Sequence, residues 1–217
     1  REMIDFIVDY LSSHGLSSSL GFNAEETKAD LISTIGPQVA GGIILSGHTD
    51  VVPVAGQDWS TDPFVAQEKG DKIYGRGSCD MKGFIAVVLA MLPEILKFDL
   101  KVPLHLAFSY DEEVGCIAAP ELAKAIKNYY TEKPKYAVIG EPSMMEPIIG
   151  QKAIYIMDTY VNGSAGHSSR IKQEVSAIHE AMRLILWLEK KMDSLIEQGR
   201  FDNRFHPSHS TLHVGKV

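Results

Sequence analysis

Acidic residues and one histidine recur along this chain at places where apolar segments end. "SGHTDVVP" (Ser46 to Pro53) carries His48 and Asp50 two positions apart. In an extended chain, residues i and i+2 point to the same side, so imidazole and carboxylate leave together. They serve a metal or a proton transfer, or they bond to each other at a strand terminus. Further on come Asp80 in "GRGSCDMKG", the run Asp111-Glu112-Glu113 in "SYDEEVG", and Glu141 in "GEPS". Adjacent carboxylates repel, and burying them is costly without a compensating cation. A divalent metal supplies that cation, and one histidine with several carboxylates suits zinc, cobalt or manganese. Paired acids, one binding metal and one free, also provide a general base beside an activated water. Each feature has a plainer reading. Asp80 could cap a helix beginning at Met81, Glu112 and Glu113 could be solvated turn residues, and Glu141 could be an ordinary strand exit.

The elements that must position these groups follow from pattern. Met3, Ile4, Ile7, Val8 and Leu11 share one helical face, and Gly15 stops that helix. "ADLISTIG", "GGIILSG", "VPLHLAFSY" and "YAVIG" read as strands, the last short and buried. "MKGFIAVVLAMLPEILK" reads as a helix that is apolar nearly all round and therefore deeply buried. Residues 117–130 read as helical. The alternation implies an α/β fold with a mostly parallel sheet sandwiched by helices. Ligand sites of such sheets lie outside the carboxyl ends of the strands. His48 and Asp50, Asp111 to Glu113, and Glu141 each sit at such an end. After about Lys152 the texture changes to strand, long amphipathic helix, strand. This β-α-β begins a second, smaller α+β unit.

Bulk properties narrow the function. The chain has 217 residues, 45% hydrophobic and 23% charged, as in an ordinary globular protein. Its net charge of -7 argues against a nucleic-acid partner, which requires a basic face. No apolar stretch reaches the roughly 18 residues of a membrane helix. Two cysteines, Cys79 and Cys116, make no disulfide framework and are expected to be small buried residues. A cytoplasmic location is the default expectation. "GRG" at 75–77 lacks the ending of a phosphate loop. His206, His209 and His213 are expected at the surface. The start at Arg1 and the stop within a strand-like segment suggest a piece of a longer chain.

In combination, "SGHTDVVP", "WSTDPF", "YGRGSCDMKG", "SYDEEVG", "GEPS" and "GHSS" resemble the di-zinc aminoacylase and metallopeptidase family. That family includes acetylornithine deacetylase, succinyl-diaminopimelate desuccinylase, aminoacylases and carboxypeptidases. The resemblance spans about Gly42 to Val217, and it implies that residues 1–151 form the N-terminal portion of a metal-dependent catalytic domain and residues 152–217 the first β-α-β half of a lid or dimerisation domain. It implies two divalent ions, zinc or cobalt, and hydrolysis of an N-acyl amino acid, with N-acetylornithine of arginine biosynthesis the leading substrate. It implies that His48, Asp80 and Glu141 hold the first metal, Asp80 bridging to a second held with Glu113. Asp50 would fix the His48 tautomer, and Glu112 would be the general base. A cis peptide is implied at Asp80–Met81. His167 would donate to the oxyanion across a homodimer formed through the lid. The family's final histidine ligand for the second metal has no match here, so that site is expected to be incomplete in this chain, which would be inactive alone. A non-catalytic dimerisation or metal-binding module is the rival outside enzymes.

Overall fold

A computed structural model describes residues 1–130, 133–170 and 172–217. The chain divides into two compact units, Arg1–Glu146 and Pro147–Val217.

In chain order the first unit contains α1 (Glu2–Ser13), β1 (Ser18–Phe22), β2 (Ala29–Ile35), β3 (Ile43–His48), β4 (Gln67–Lys69) and β5 (Lys72–Tyr74). Then come α2 (Lys82–Ile95), β6 (Leu104–Ser109), α3 (Ala119–Tyr129) and β7 (Tyr136–Ile139). Five strands form one sheet in the order β1-β2-β6-β3-β7, and β4 pairs with β5 in a separate hairpin. β3 runs parallel to both β6 and β7, whereas β2 is antiparallel to β1 and to β6. Four of the five strands therefore run one way, and β2 alone runs against them. This is the α/β, mostly parallel architecture that the alternation of patterns implies.

Period-two alternation distributes the strand side chains between two cores. Leu31 and Ile35 of β2 and Leu106 and Phe108 of β6 meet Ile4, Ile7 and Leu11 of α1 and Ile85, Val88, Leu89 and Leu92 of α2. On the opposite face, Ile32 and Ala107 meet Leu122 of α3. Helices thus cover both faces, and the sheet is held rigidly enough to carry a site on its edge. β1 had no strand reading in the sequence. Its Ser-rich "SSLGF" lacks β-branched residues, and it is a strand because β2 lies beside it, paired from Ser18↔Ser33 to Phe22↔Ala29. Asn23 shapes the turn between them, its Oδ1 accepting from the Lys28 amide at 2.8 Å.

Three expectations about burial and pairing need correction. α2 is buried on one face only, with Val87 62% and Met91 49% exposed. An all-round apolar sequence cannot be buried all round when only one side faces the sheet. β7 is exposed rather than buried, because it is the edge strand. In the second unit, α4 (Ala177–Gln198) forms, its N-cap Ser176 Oγ accepting from the His179 amide at 3.3 Å. The two strand-like segments around it, 153–163 and 210–217, make no ladder among the described residues. Alternation gives a segment two unlike faces, but only a hydrogen-bonded neighbour makes it a strand.

Candidate metal centre

The edge of the sheet gathers the acidic clusters. His48 ends β3 opposite Ser109, the last residue of β6. The pairing runs one residue further, since the Thr49 amide and hydroxyl both donate to the Ser109 carbonyl, at 2.9 and 3.0 Å. On the other side, the Gly140 amide donates to the Ser46 carbonyl at 3.0 Å, which sends Glu141 out at the same level. Gly140 is required there by space: a Cβ would lie 2.0 Å from the Phe84 ring of α2. Asp80 arrives from the turn before α2. It does not cap that helix; the N-cap is Met81, with no side-chain capping bond. The Asp80–Met81 peptide is cis, as the family resemblance implies. Met81 is fully buried, and its methyl group would meet a Cβ on Gly47 at 2.8 Å. The glycine of "SGH" thereby lets the segment bearing Asp80 close on β3.

His48 is 2% exposed and sits at the centre of the cluster. Its Nδ1 donates to the Asp50 carbonyl at 3.0 Å, with the Asp50 carboxylate 3.4 Å away. Nε2 then faces Asp80 Oδ1 at 3.1 Å, Glu141 Oε1 at 3.6 Å and Glu112 Oε2 at 3.9 Å. The Asp50 carboxylate has a second task that the sequence did not disclose. Its two oxygens accept the backbone amides of Glu112 and Glu113, each at 3.1 Å. One aspartate thus orients the imidazole and suspends the acidic pair. Backbone hydrogen bonds leave no residue-type signature, so pattern alone could not find this link.

Electrostatics describe a site built for a cation. Burial and then the charge of Asp80 push the carboxyl groups of Glu113 and Glu141 above the usual carboxylate range. For His48, burial opposes protonation, but the Asp50 carbonyl and the surrounding carboxylates outweigh it and raise its pKa. A divalent ion among these groups would reverse the balance by favouring the ionised acids and the neutral imidazole. The donors fit one. His48, Asp80 and Glu141 each bring a ligand atom within 4.8 Å of the others, as do His48, Glu112 and Glu113. The second grouping draws in His48 and Glu112 beside Glu113, where the resemblance implies Asp80 with Glu113.

Other singled-out residues lie elsewhere or behave differently. Cys79 and Cys116 are exposed, not buried, because both stand in loops at the sheet edge. The Cys116 thiol lies 3.5 Å from Glu112 Oε1. His167 belongs to the second unit, in a turn where its Nδ1 accepts the Ser169 amide at 3.2 Å. His209 also belongs there, its carbonyl accepting from Lys152 at 2.9 Å.

The sequence profile of peptidase family M20/M25/M40 matches residues 44–207. This chain belongs to that family. It is 35% identical over 208 residues to an acetylornithine deacetylase of Shigella sonnei, covering 91% of this chain and 52% of the relative. The chain thus spans about half the length of that curated relative. Among solved structures, human carnosine dipeptidase 1 superposes with a TM-score of 0.53 and 28% identity, over 64% of this chain and 32% of the other. An M20 family metallo-carboxypeptidase of Sulfolobus solfataricus has a TM-score of 0.56 at 22% identity, over 64% and 32% of the two chains, and shares the fold. The family is one of metal-dependent hydrolases acting on small substrates. No helix of the described residues is long and apolar enough to cross a membrane.

Proposed function

We propose that this chain carries the metal-binding half of an amide hydrolase that removes the acyl group from an N-acyl amino acid, with N-acetylornithine the favoured substrate. The observation that carries the substrate class is the 35% identity to an acetylornithine deacetylase across 91% of the chain. The site supports the reaction class. Bound divalent ions, zinc before cobalt, would supply Lewis acidity to the amide carbonyl and to an attacking water. His48, Asp80 and Glu141 would hold one ion, and Glu113 with Asp80 the other.

The chain's own residues then divide the work. Glu112 takes the proton of the attacking water and returns it to the departing amine, which is general base and general acid catalysis in turn. Asp50 keeps the His48 Nδ1–H in place and sets the position of Glu112 through its backbone amide. His167 donates a hydrogen bond to the carbonyl oxygen as charge develops there. Its Nδ1 accepts from Ser169, which leaves Nε2 to carry the proton. We assign His167 to the site of a partner subunit, with residues 152–217 forming part of the lid and dimer contact, and place the enzyme in the cytoplasm.

Hydrolysis of N-acetylornithine, N-succinyl-diaminopimelate, N-acetylmethionine and carnosine by the full-length enzyme tests the assignment. The highest kcat/KM is expected for N-acetylornithine. A preference for carnosine would move the reading to a dipeptidase, in line with the 28% identity to the human enzyme of that name.

A further inference from the structure

We propose that Lys28 is a positioning residue for the loop that carries Glu112 and Glu113. It holds that loop through Asp111 from the side opposite Asp50. This rests on the reading of Glu112 as the general base. The Lys28 ammonium lies 2.6 Å from Asp111 Oδ1, across 83 positions of sequence. Asp111 opens the hydrogen-bonded part of the loop, one residue after Tyr110, and has φ +55, a left-handed conformation that non-glycine residues adopt only at some cost. An ion pair on its carboxylate favours that conformation over the alternatives.

The loop beyond Asp111 is internally tied. The Ile117 amide donates to the Asp111 carbonyl at 3.0 Å, and the Gly115 and Cys116 amides donate to the Glu112 carbonyl at 3.0 and 2.9 Å. Such a loop shifts as a body, so a grip at its first residue reaches Glu112. The anchor at the other end is equally defined. Lys28 immediately precedes β2, its amide bonds Asn23 Oδ1 at 2.8 Å, and its carbonyl accepts the Asn23 amide at 3.1 Å. The Glu112–Glu113 backbone is therefore suspended between Asp50, just past β3, and the β1–β2 turn. Lys28 lies outside residues 44–207, where the family profile matches. The Lys28 side chain is 46% exposed and that of Asp111 17%, so solvent screening limits the grip. Its loss is expected to change the rate by about two- to fivefold rather than by orders of magnitude.

The test uses the zinc-loaded full-length enzyme with K28M, K28R, D111N and the double variant K28M/D111N. Amide hydrogen exchange across residues 110–117 and the kinetics of N-acetylornithine hydrolysis are the two readouts. K28M is expected to speed exchange in that segment and to lower kcat about two- to fivefold, with KM and zinc content unchanged. K28R is expected to restore both, and the double variant to be no worse than K28M, as for two residues acting as one unit. Unchanged exchange in K28M, or faster exchange with unchanged kcat, overturns the proposal. E112Q distinguishes the underlying reading: if it stays active while K28M still loosens the loop, the role of Glu112 fails and the Lys28 grip stands.

Discussion

Asp50 holds the imidazole of His48 with its backbone carbonyl and the amides of Glu112 and Glu113 with its carboxylate. Replacing it by asparagine keeps the shape but turns one acceptor into a donor, which then faces a backbone N–H. D50N is expected to lower kcat or metal affinity by about 10- to 100-fold, the range for residues that orient metal ligands. Steady-state kinetics with zinc titration would check it, and wild-type values for both would remove Asp50 from the machinery. Which residues gather was legible in the sequence. His48, Glu112, Glu113 and Glu141 were marked by their types at the ends of apolar runs and Asp80 just before the start of one, and they converge. The Asp50–His48 link was implied by the family resemblance, whereas the suspension of Glu112 and Glu113 was not legible, because Asp50 reaches their backbone amides and Lys28 acts through Asp111, 83 positions away.

Strand β2 carries a buried acid. Asp30 is 5% exposed, and one of its carboxylate oxygens has no hydrogen-bond partner among the described residues. Burial pushes its pKa up to about 7, against a partial offset from the Tyr110 backbone. The folded state then keeps a proton that the unfolded chain releases near its ordinary value of 3.8. Asp30's contribution to stability is thus full below that value, declines as pH rises to about 7, and is level above. The decline is on the order of 4 kcal/mol. Urea denaturation of wild type and D30N without metal should show the variant gaining on wild type from pH 4.5 to 7. A constant difference would mean that Asp30 is ionised throughout. Between β7 and α2, G140A should force the Phe84 ring out of its place and cost about 1–3 kcal/mol. A melting temperature equal to that of wild type would show that the ring yields freely. The elements themselves were legible unevenly. β2, β3 and β6 announced themselves as apolar runs with defined ends. β1 did not, since serines and a glycine carry little strand signal, and Lys28 went unnoticed with it. The burial of α2 and β7 was overread because hydrophobicity shows what a side chain would prefer, while neighbours decide what it gets.

For the molecule as a whole, all the clustered donors lie within one unit, Arg1–Glu146. Zinc should therefore protect amides selectively. Hydrogen exchange is expected to slow around residues 46–50, 78–82, 110–116 and 139–142 and to stay unchanged along α4, 177–198. A chelator should reverse the protection, and uniform protection of both units would contradict this division. The side-by-side order of β6, β3 and β7 has a consequence for how such an enzyme changes over generations. Adjacent strands stand about 4.8 Å apart, a pitch fixed by backbone hydrogen bonds whatever the side chains. His48 and Glu141 inherit their spacing from that pitch, as marks on a gauge block inherit theirs from the steel, and Asp50 brings Glu112 and Glu113 to the same level. Loops other than those bearing Lys28, Asp50 and Glu112 can lengthen, shorten or be exchanged without altering the interval between donors. New substrates are thus reached by remodelling what surrounds the gauge, while the reaction it measures out stays the same.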